Sequence, residues 1–232
     1  MILLARIIML LLIPYEIETL QQERPWANWL IVAACSIVSL IALVGGGPEE
    51  GAFAALVLRD FSFPGLLGHV LLHGDIVHLV GNMIFLWVFG NAICTNTSNG
   101  IYLTTFLACA LMAAVVHLIM DGSPAIGASG AINGIIGVAF AMYPLNRVYL
   151  FWLFLVRGGS ISCKAWLIIA AWLLFDIWGV MTGGGMVAYW AHIGGFLGGL
   201  GFGLVALHFG WFQLTEYDNR SLLQIIRREY PE

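Results

Sequence analysis

Charge is what this sequence has least of. Only 9% of its 232 residues are Asp, Glu, Lys or Arg, where a soluble domain carries about 25%. So little polar surface cannot coat a globule, which excludes a soluble domain. No run of basic residues occurs, and the net charge is −4, so nucleic acid is not an expected partner. The four cysteines, Cys35, Cys94, Cys109 and Cys163, form no CxxC pair. They are expected to be small apolar fillers, not a disulfide framework. Neither H-E-x-x-H nor G-x-G-D is present, which argues against a membrane metalloprotease and an aspartyl intramembrane protease. No internal repeat is found, which weighs against a small-solute transporter.

Apolar residues fill the sequence instead. Hydrophobic types make up 61% of the chain, with nine Trp and 28 Gly, and mean hydropathy is +0.94. The solvent implied is lipid. Six continuous apolar stretches, roughly 28–46, 78–94, 100–120, 128–144, 165–182 and 189–212, predict an all-α membrane protein with six spans. Continuous runs exclude a barrel, whose strands alternate with period two. Helices pair every backbone group within their own segment, as lipid requires. Three regions follow: residues 1–27 as an interfacial or cytoplasmic segment, 28–212 as the membrane domain and 213–232 as a cytoplasmic tail. Pro14 stops the first 13 residues short of a full span. Arg6 and the lack of a small-residue cleavage site favour an interfacial segment over a signal peptide. The aromatic stretch 147–157 is also too short to span and is expected to lie along the headgroups.

Basic residues orient the spans. With the N-terminus inside, Arg6, Arg24, Arg147, Arg157, Lys164, Arg220, Arg227 and Arg228 are cytoplasmic and only Arg59 lies outside. That asymmetry predicts both termini on the cytoplasmic side, with a bacterial inner membrane the expected location. Residues 47–77 form a long, half-apolar first loop, expected to dip into the outer leaflet as a hairpin.

Polar side chains within the spans are costly, so each is a functional candidate. Spans two, four and six run from outside to inside. Near their outer starts lie His78 and Asn82, then Ser129, then His192. These residues therefore share one depth. A serine and a histidine at matched depth can act as nucleophile and base. His78 and Asn82, four residues apart on one helical face, can donate to a developing oxyanion. Gly130, Gly134 and Gly137 on span four, and Gly195, Gly199 and Gly203 on span six, allow the close helix approach such a pair needs.

G-A-S-G opening a span, His73, His78 and Asn82 in an H-x4-H-x3-N pattern, and A-H-x-x-G in the last span together resemble the rhomboid intramembrane serine proteases. The resemblance covers roughly residues 14–212. It implies a six-helix bundle of rhomboid type with a long, partly embedded first loop. It implies a serine endopeptidase with Ser129 as nucleophile, His192 as base and no third acidic partner. His78, Asn82 and the Ser129 backbone N–H would hold the oxyanion, with Asn133 and His73 behind them. It further implies an outward-opening wet cavity, and span five with loop 183–188 as gate and cap. Partners would be single-span membrane protein substrates and the bilayer. No cofactor or metal is expected. The alternative is a catalytically inactive relative that binds membrane clients.

Two departures stand out. Asn133 occupies the position where many bacterial members carry an aromatic residue, and is expected to bond the imidazole or a water. The family's Trp-Arg pair in the first loop is absent, with Pro64-Gly65 nearby. Other polar residues read more plainly. His69 and His73 are expected to bond loop backbone, and a zinc site from His69, His73 and His78 lacks a completing carboxylate or Cys. His117 and His208 have no evident partners. Asp121 is expected to face water, Asp176 sits in mid-span with no assigned partner, and Glu49, Glu50 and the tail charges read as solvated.

Overall fold

The computed structural model describes residues 12–154, 157–183 and 187–229. The expectation for the first 13 residues therefore falls almost wholly outside the described residues, and that for loop 183–188 partly so.

The chain opens with a strand, β1 (Ile13–Ile17), followed by helix α1 (Trp26–Val44), which ends before Gly45-Gly46-Gly47. The first loop then carries a short 3-10 turn at Gly51–Leu56, helix α2 (Phe63–Gly68) and a second turn at His69–Leu71. Pro64-Gly65 opens α2, where the lack of a proline N–H costs no helical bond. Helix α3 (Ile76–Cys94) starts where the Asp75 carboxylate accepts the His78 N–H at 2.7 Å. It widens to a π turn at Leu86–Gly90. Helix α4 (Asn99–Met120) is capped by Ser98, whose hydroxyl accepts the Ile101 N–H at 3.2 Å. Helix α5 (Ser129–Met142) is followed by β2 (Arg147–Phe154), β3 (Arg157–Lys164), α6 (Ala165–Thr182), α7 (Tyr189–His208) and a short α8 (Leu222–Arg227).

Five of these helices, α1, α3, α4, α6 and α7, are long and apolar enough to cross a membrane. The protein is thus a multi-pass membrane protein. Its outside is greasy and its inside polar in places: Val44 is 90% exposed, while Asn28, Ser39, Thr105 and His73 are fully buried. Helix α5 departs from the expected full span. Its 14 residues rise only about 21 Å, and most of its side chains are buried by neighbouring helices. A helix sheathed in protein need not match the bilayer thickness.

A buried polar knot joins the first three long helices. The Asn28 amide donates to the Leu86 carbonyl at 3.0 Å and to Asn91 Oδ1 at 2.8 Å, and its oxygen accepts the Tyr102 hydroxyl at 2.6 Å. Without water to compete, each of these groups must find a protein partner.

The all-α expectation is corrected by a three-stranded antiparallel sheet in the order β1–β2–β3. The stretch expected to lie along the headgroups is strand β2, pairing Ile13 with Phe151 on one side and Ser160 with Phe151 on the other. Val148 and Leu150 are buried while Arg147, Phe151 and Leu153 are exposed, the period-two pattern of a half-buried strand. Asn146 ties this sheet to both ends of the chain. Its amide donates to the Glu18 carbonyl at 2.6 Å and to Asp218 Oδ1 at 2.9 Å. Asp218 is therefore a bonded residue, not a solvated tail charge; its other oxygen accepts from the Thr215 N–H and hydroxyl.

Candidate active site

Helices α5 and α7 touch through bare backbone. A Cβ added to Gly195 would collide with the Gly130 carbonyl, and one on Gly199 with the Gly134 carbonyl. On the other face of α5, a Cβ on Gly130 would stand 2.7 Å from that of Ala113 on α4. Both helices run where only glycine fits.

This approach brings Ser129, the first residue of α5, against His192 in the first turn of α7. Ser129 Oγ lies 2.8 Å from His192 Nε2. The other ring nitrogen, Nδ1, lies 2.9 Å from Asp176 Oδ1 on α6. The side chains of His192 and Asp176 are 14% and 9% exposed. The resemblance implied no acidic third residue and the sequence assigned Asp176 no partner; the structure supplies one. Asp176 and His192 lie 16 residues apart on different helices, so no local spacing signals the pair. The available signal was the carboxylate itself, isolated in the apolar run W-L-L-F-D-I-W.

The segment before Ser129 is laced to the first loop. Leu58 and Ala125 exchange backbone hydrogen bonds of 3.0 and 2.9 Å, and the Gly127 N–H donates to the His69 carbonyl at 2.9 Å. Gly127 adopts φ +115°, a conformation that L side chains rarely adopt. It is also overhung by α3: a Cβ there would lie 2.8 Å from His78 Cε1 and Nε2 and 3.6 Å from Asn82 Nδ2. His78 and Asn82 therefore face the backbone two residues before Ser129. Asn82 Nδ2 is buried with no hydrogen-bond partner among the described residues. No side-chain cap is found at the α5 N-terminus among the described residues, and the first N–H groups of a helix lie outside its own ladder.

The remaining candidates sort by their bonds. The Asn133 amide donates to the Ser129 carbonyl at 3.0 Å, a bond within α5, where the imidazole or a water was the expected partner. His69 Nδ1 bonds the Gly65 carbonyl at 3.0 Å, and His73 Nδ1 bonds Ser39 Oγ at 2.8 Å, reaching α1 instead of loop backbone. The His73 ring packs edge-on to His78, with centroids 5.0 Å apart. Burial, with the His78 imidazole close by, pushes the His73 imidazole down to about 3, so it stays neutral. His117 and His208 do have partners: the Ser123 carbonyl at 2.7 Å and Arg227 at 2.6 Å. Asp121 is exposed, and its carboxylate is held below the usual range by bonds from Ser123. The described residues hold no cluster of His, Cys, Asp or Glu suited to a metal ion, and Cys35, Cys94, Cys109 and Cys163 are free thiols.

Two similarities to known proteins bear on this arrangement. Residues 61–209 match the Rhomboid domain. The chain is also 31% identical over 173 residues to Rhomboid protein 1, mitochondrial, of Saccharomyces cerevisiae, an alignment covering 70% of this chain and 46% of the yeast protein. The chain thus spans about half the length of that relative.

Proposed function

Because this chain belongs to the rhomboid family, we propose that it is an intramembrane serine endopeptidase that cuts single-span membrane proteins in or near their membrane segments. The observation that carries this reading is the 2.8 Å contact between Ser129 Oγ and His192 Nε2. Ser129 attacks the substrate carbonyl as its hydroxyl proton passes to His192 Nε2. The tetrahedral oxyanion takes hydrogen bonds from Asn82 Nδ2, His78 and the Ser129 N–H. An orphaned buried donor such as Asn82 Nδ2 is what an oxyanion site needs before its ligand arrives. His192 then returns the proton to the leaving amine, and water repeats the cycle on the acyl-enzyme. Substrate helices weakened by small or helix-breaking residues suit this site, since a carbonyl bonded within a helix must be freed before attack.

In this reading α5 is the fourth of six membrane segments, packed against α3, α4, α6 and α7, and the first loop dips into the outer leaflet. Both termini and the sheet face the cytoplasm, the side holding eight of the nine basic residues. The test uses full-length protein in detergent with a fluorophosphonate and a single-span substrate. Wild type should be labelled and should cleave. Ser129→Ala and His192→Ala should do neither. Equal labelling of wild type and Ser129→Ala removes the nucleophile assignment. Absence of labelling in wild type leaves the client-binding alternative.

A further inference from the structure

We propose that Asp176 is a positioning residue for His192, so that this chain works as a serine–histidine–aspartate triad and not as a bare dyad. The proposal rests on the protease reading above and deepens it.

A carboxylate in the middle of an apolar span is costly and is retained only with a partner. Asp176 is buried, and its ion-pair contact among the described residues is His192 Nδ1 at 2.9 Å. An ionised carboxylate only accepts hydrogen bonds, so this contact requires a proton on Nδ1. That leaves the Nε2 lone pair facing Ser129 Oγ at 2.8 Å. The tautomer that can take the serine proton is therefore selected by α6. When that proton arrives, the ring becomes a cation 2.9 Å from a carboxylate, which stabilises the charge formed during attack.

The helix packing is built around this contact. Gly179, less than one turn beyond Asp176, admits the Tyr189 ring: a Cβ there would come within 2.5 Å of Tyr189 Cε1 and Cε2. Tyr189 in turn packs edge-on to His192 and to Phe175, each with centroids 6.3 Å apart. Asn133, on α5, is committed to the Ser129 carbonyl. The imidazole is thus held by a carboxylate of α6 on one nitrogen and by Tyr189, from the start of α7, beside the ring.

The test compares Asp176→Asn and Asp176→Glu with wild type in detergent. Labelling stoichiometry counts intact sites; the labelling rate constant and kcat report how well each site works. Asp176→Asn should keep its stoichiometry and KM while rate constant and kcat fall by up to roughly 10⁴-fold, the drop seen when a triad aspartate is made an amide. Asp176→Glu, which restores the charge, should recover part of that loss. A merely structural role would lower stoichiometry and thermal stability and leave the rate per intact site unchanged, which overturns the proposal. Nitrogen-15 spectra of histidine-labelled wild type, with His192→Ala as the subtraction control, need no Asp176 variant. They should show the Nδ1-protonated tautomer for His192; the Nε2-protonated tautomer also overturns the proposal. Failure of wild type to label at all refutes the protease reading itself and is distinct from either result.

Discussion

Adding one methyl group to the α5–α7 seam should disable the protein without touching a reacting atom. In Gly195→Ala the new Cβ would stand 3.0 Å from the Gly130 carbonyl carbon and nearer still to its oxygen. Comfortable carbon–carbon contact needs about 3.5–4.0 Å, so the carbonyl carbon alone requires the helices to part by roughly 0.5–1 Å, and the closer oxygen requires more. Both flanks of the collision are backbone, and no side chain can rotate away. Gly195 lies three residues from His192, and Gly130 is next to Ser129. The displacement therefore passes almost undiminished into the 2.8 Å serine–histidine contact. A gap near 3.8 Å is no longer a hydrogen bond, and a 1 Å misplacement of reacting groups can cost about 10²-fold in rate. The fluorophosphonate labelling rate of Gly195→Ala, compared with wild type at matched folded fraction, reads this directly. A variant labelled at the wild-type rate, with wild-type thermal stability, would refute the claim that the glycine seam sets the reactive distance.

Two further outcomes follow from other groups. Asn82→Ala should lower kcat/KM by about 10²–10³-fold, the usual cost of an oxyanion donor. It should not lower the melting temperature, because the amide nitrogen has no hydrogen bond to lose among the described residues; strong destabilisation with unchanged specific activity would exclude the oxyanion role. Acid should destabilise the fold through His73. Its imidazole protonates near 6.5 when unfolded and only at about 3 when buried. Between those values the unfolded state binds the extra proton, so stability falls as pH drops from 6.5 towards 3, by up to about 1.4 kcal/mol per pH unit. Melting temperatures from pH 7 to pH 4 should fall less steeply in His73→Gln; parallel curves would show that His73 does not carry this dependence.

Much of this architecture is written in the sequence because lipid imposes so simple a grammar. Each long helix required an unbroken apolar run, and 165–182 matches α6 to the residue. Ser129, His192, His78 and Asn82 could be gathered by depth alone, since polar groups are few. The sheet was illegible for the opposite reason. R-V-Y-L-F-W-L-F is apolar on both faces, so it lacks the alternation that marks a strand, and its partner β1 lies far away in sequence. Asn28, at the start of an apolar run, carries no sequence signal, because its role depends on Asn91 and Tyr102, contributed by two other helices. Asp176 stood out as costly, but the sequence could not say which helix would face it.

The brevity of α5 has a consequence for the chain around it. In the proposed six-segment arrangement, a hydrocarbon layer about 30 Å deep crossed by a helix of about 21 Å leaves roughly a third of that thickness to be bridged by ordinary loop. Such a stretch survives there only if other protein saturates its amides and carbonyls. Residues 58 and 69 do so, clasping Ala125 and Gly127 from the far side. In that arrangement the first loop is a stopper for the gap above a truncated helix, and trimming it should strand polar backbone in oil before it disturbs Ser129 or His192.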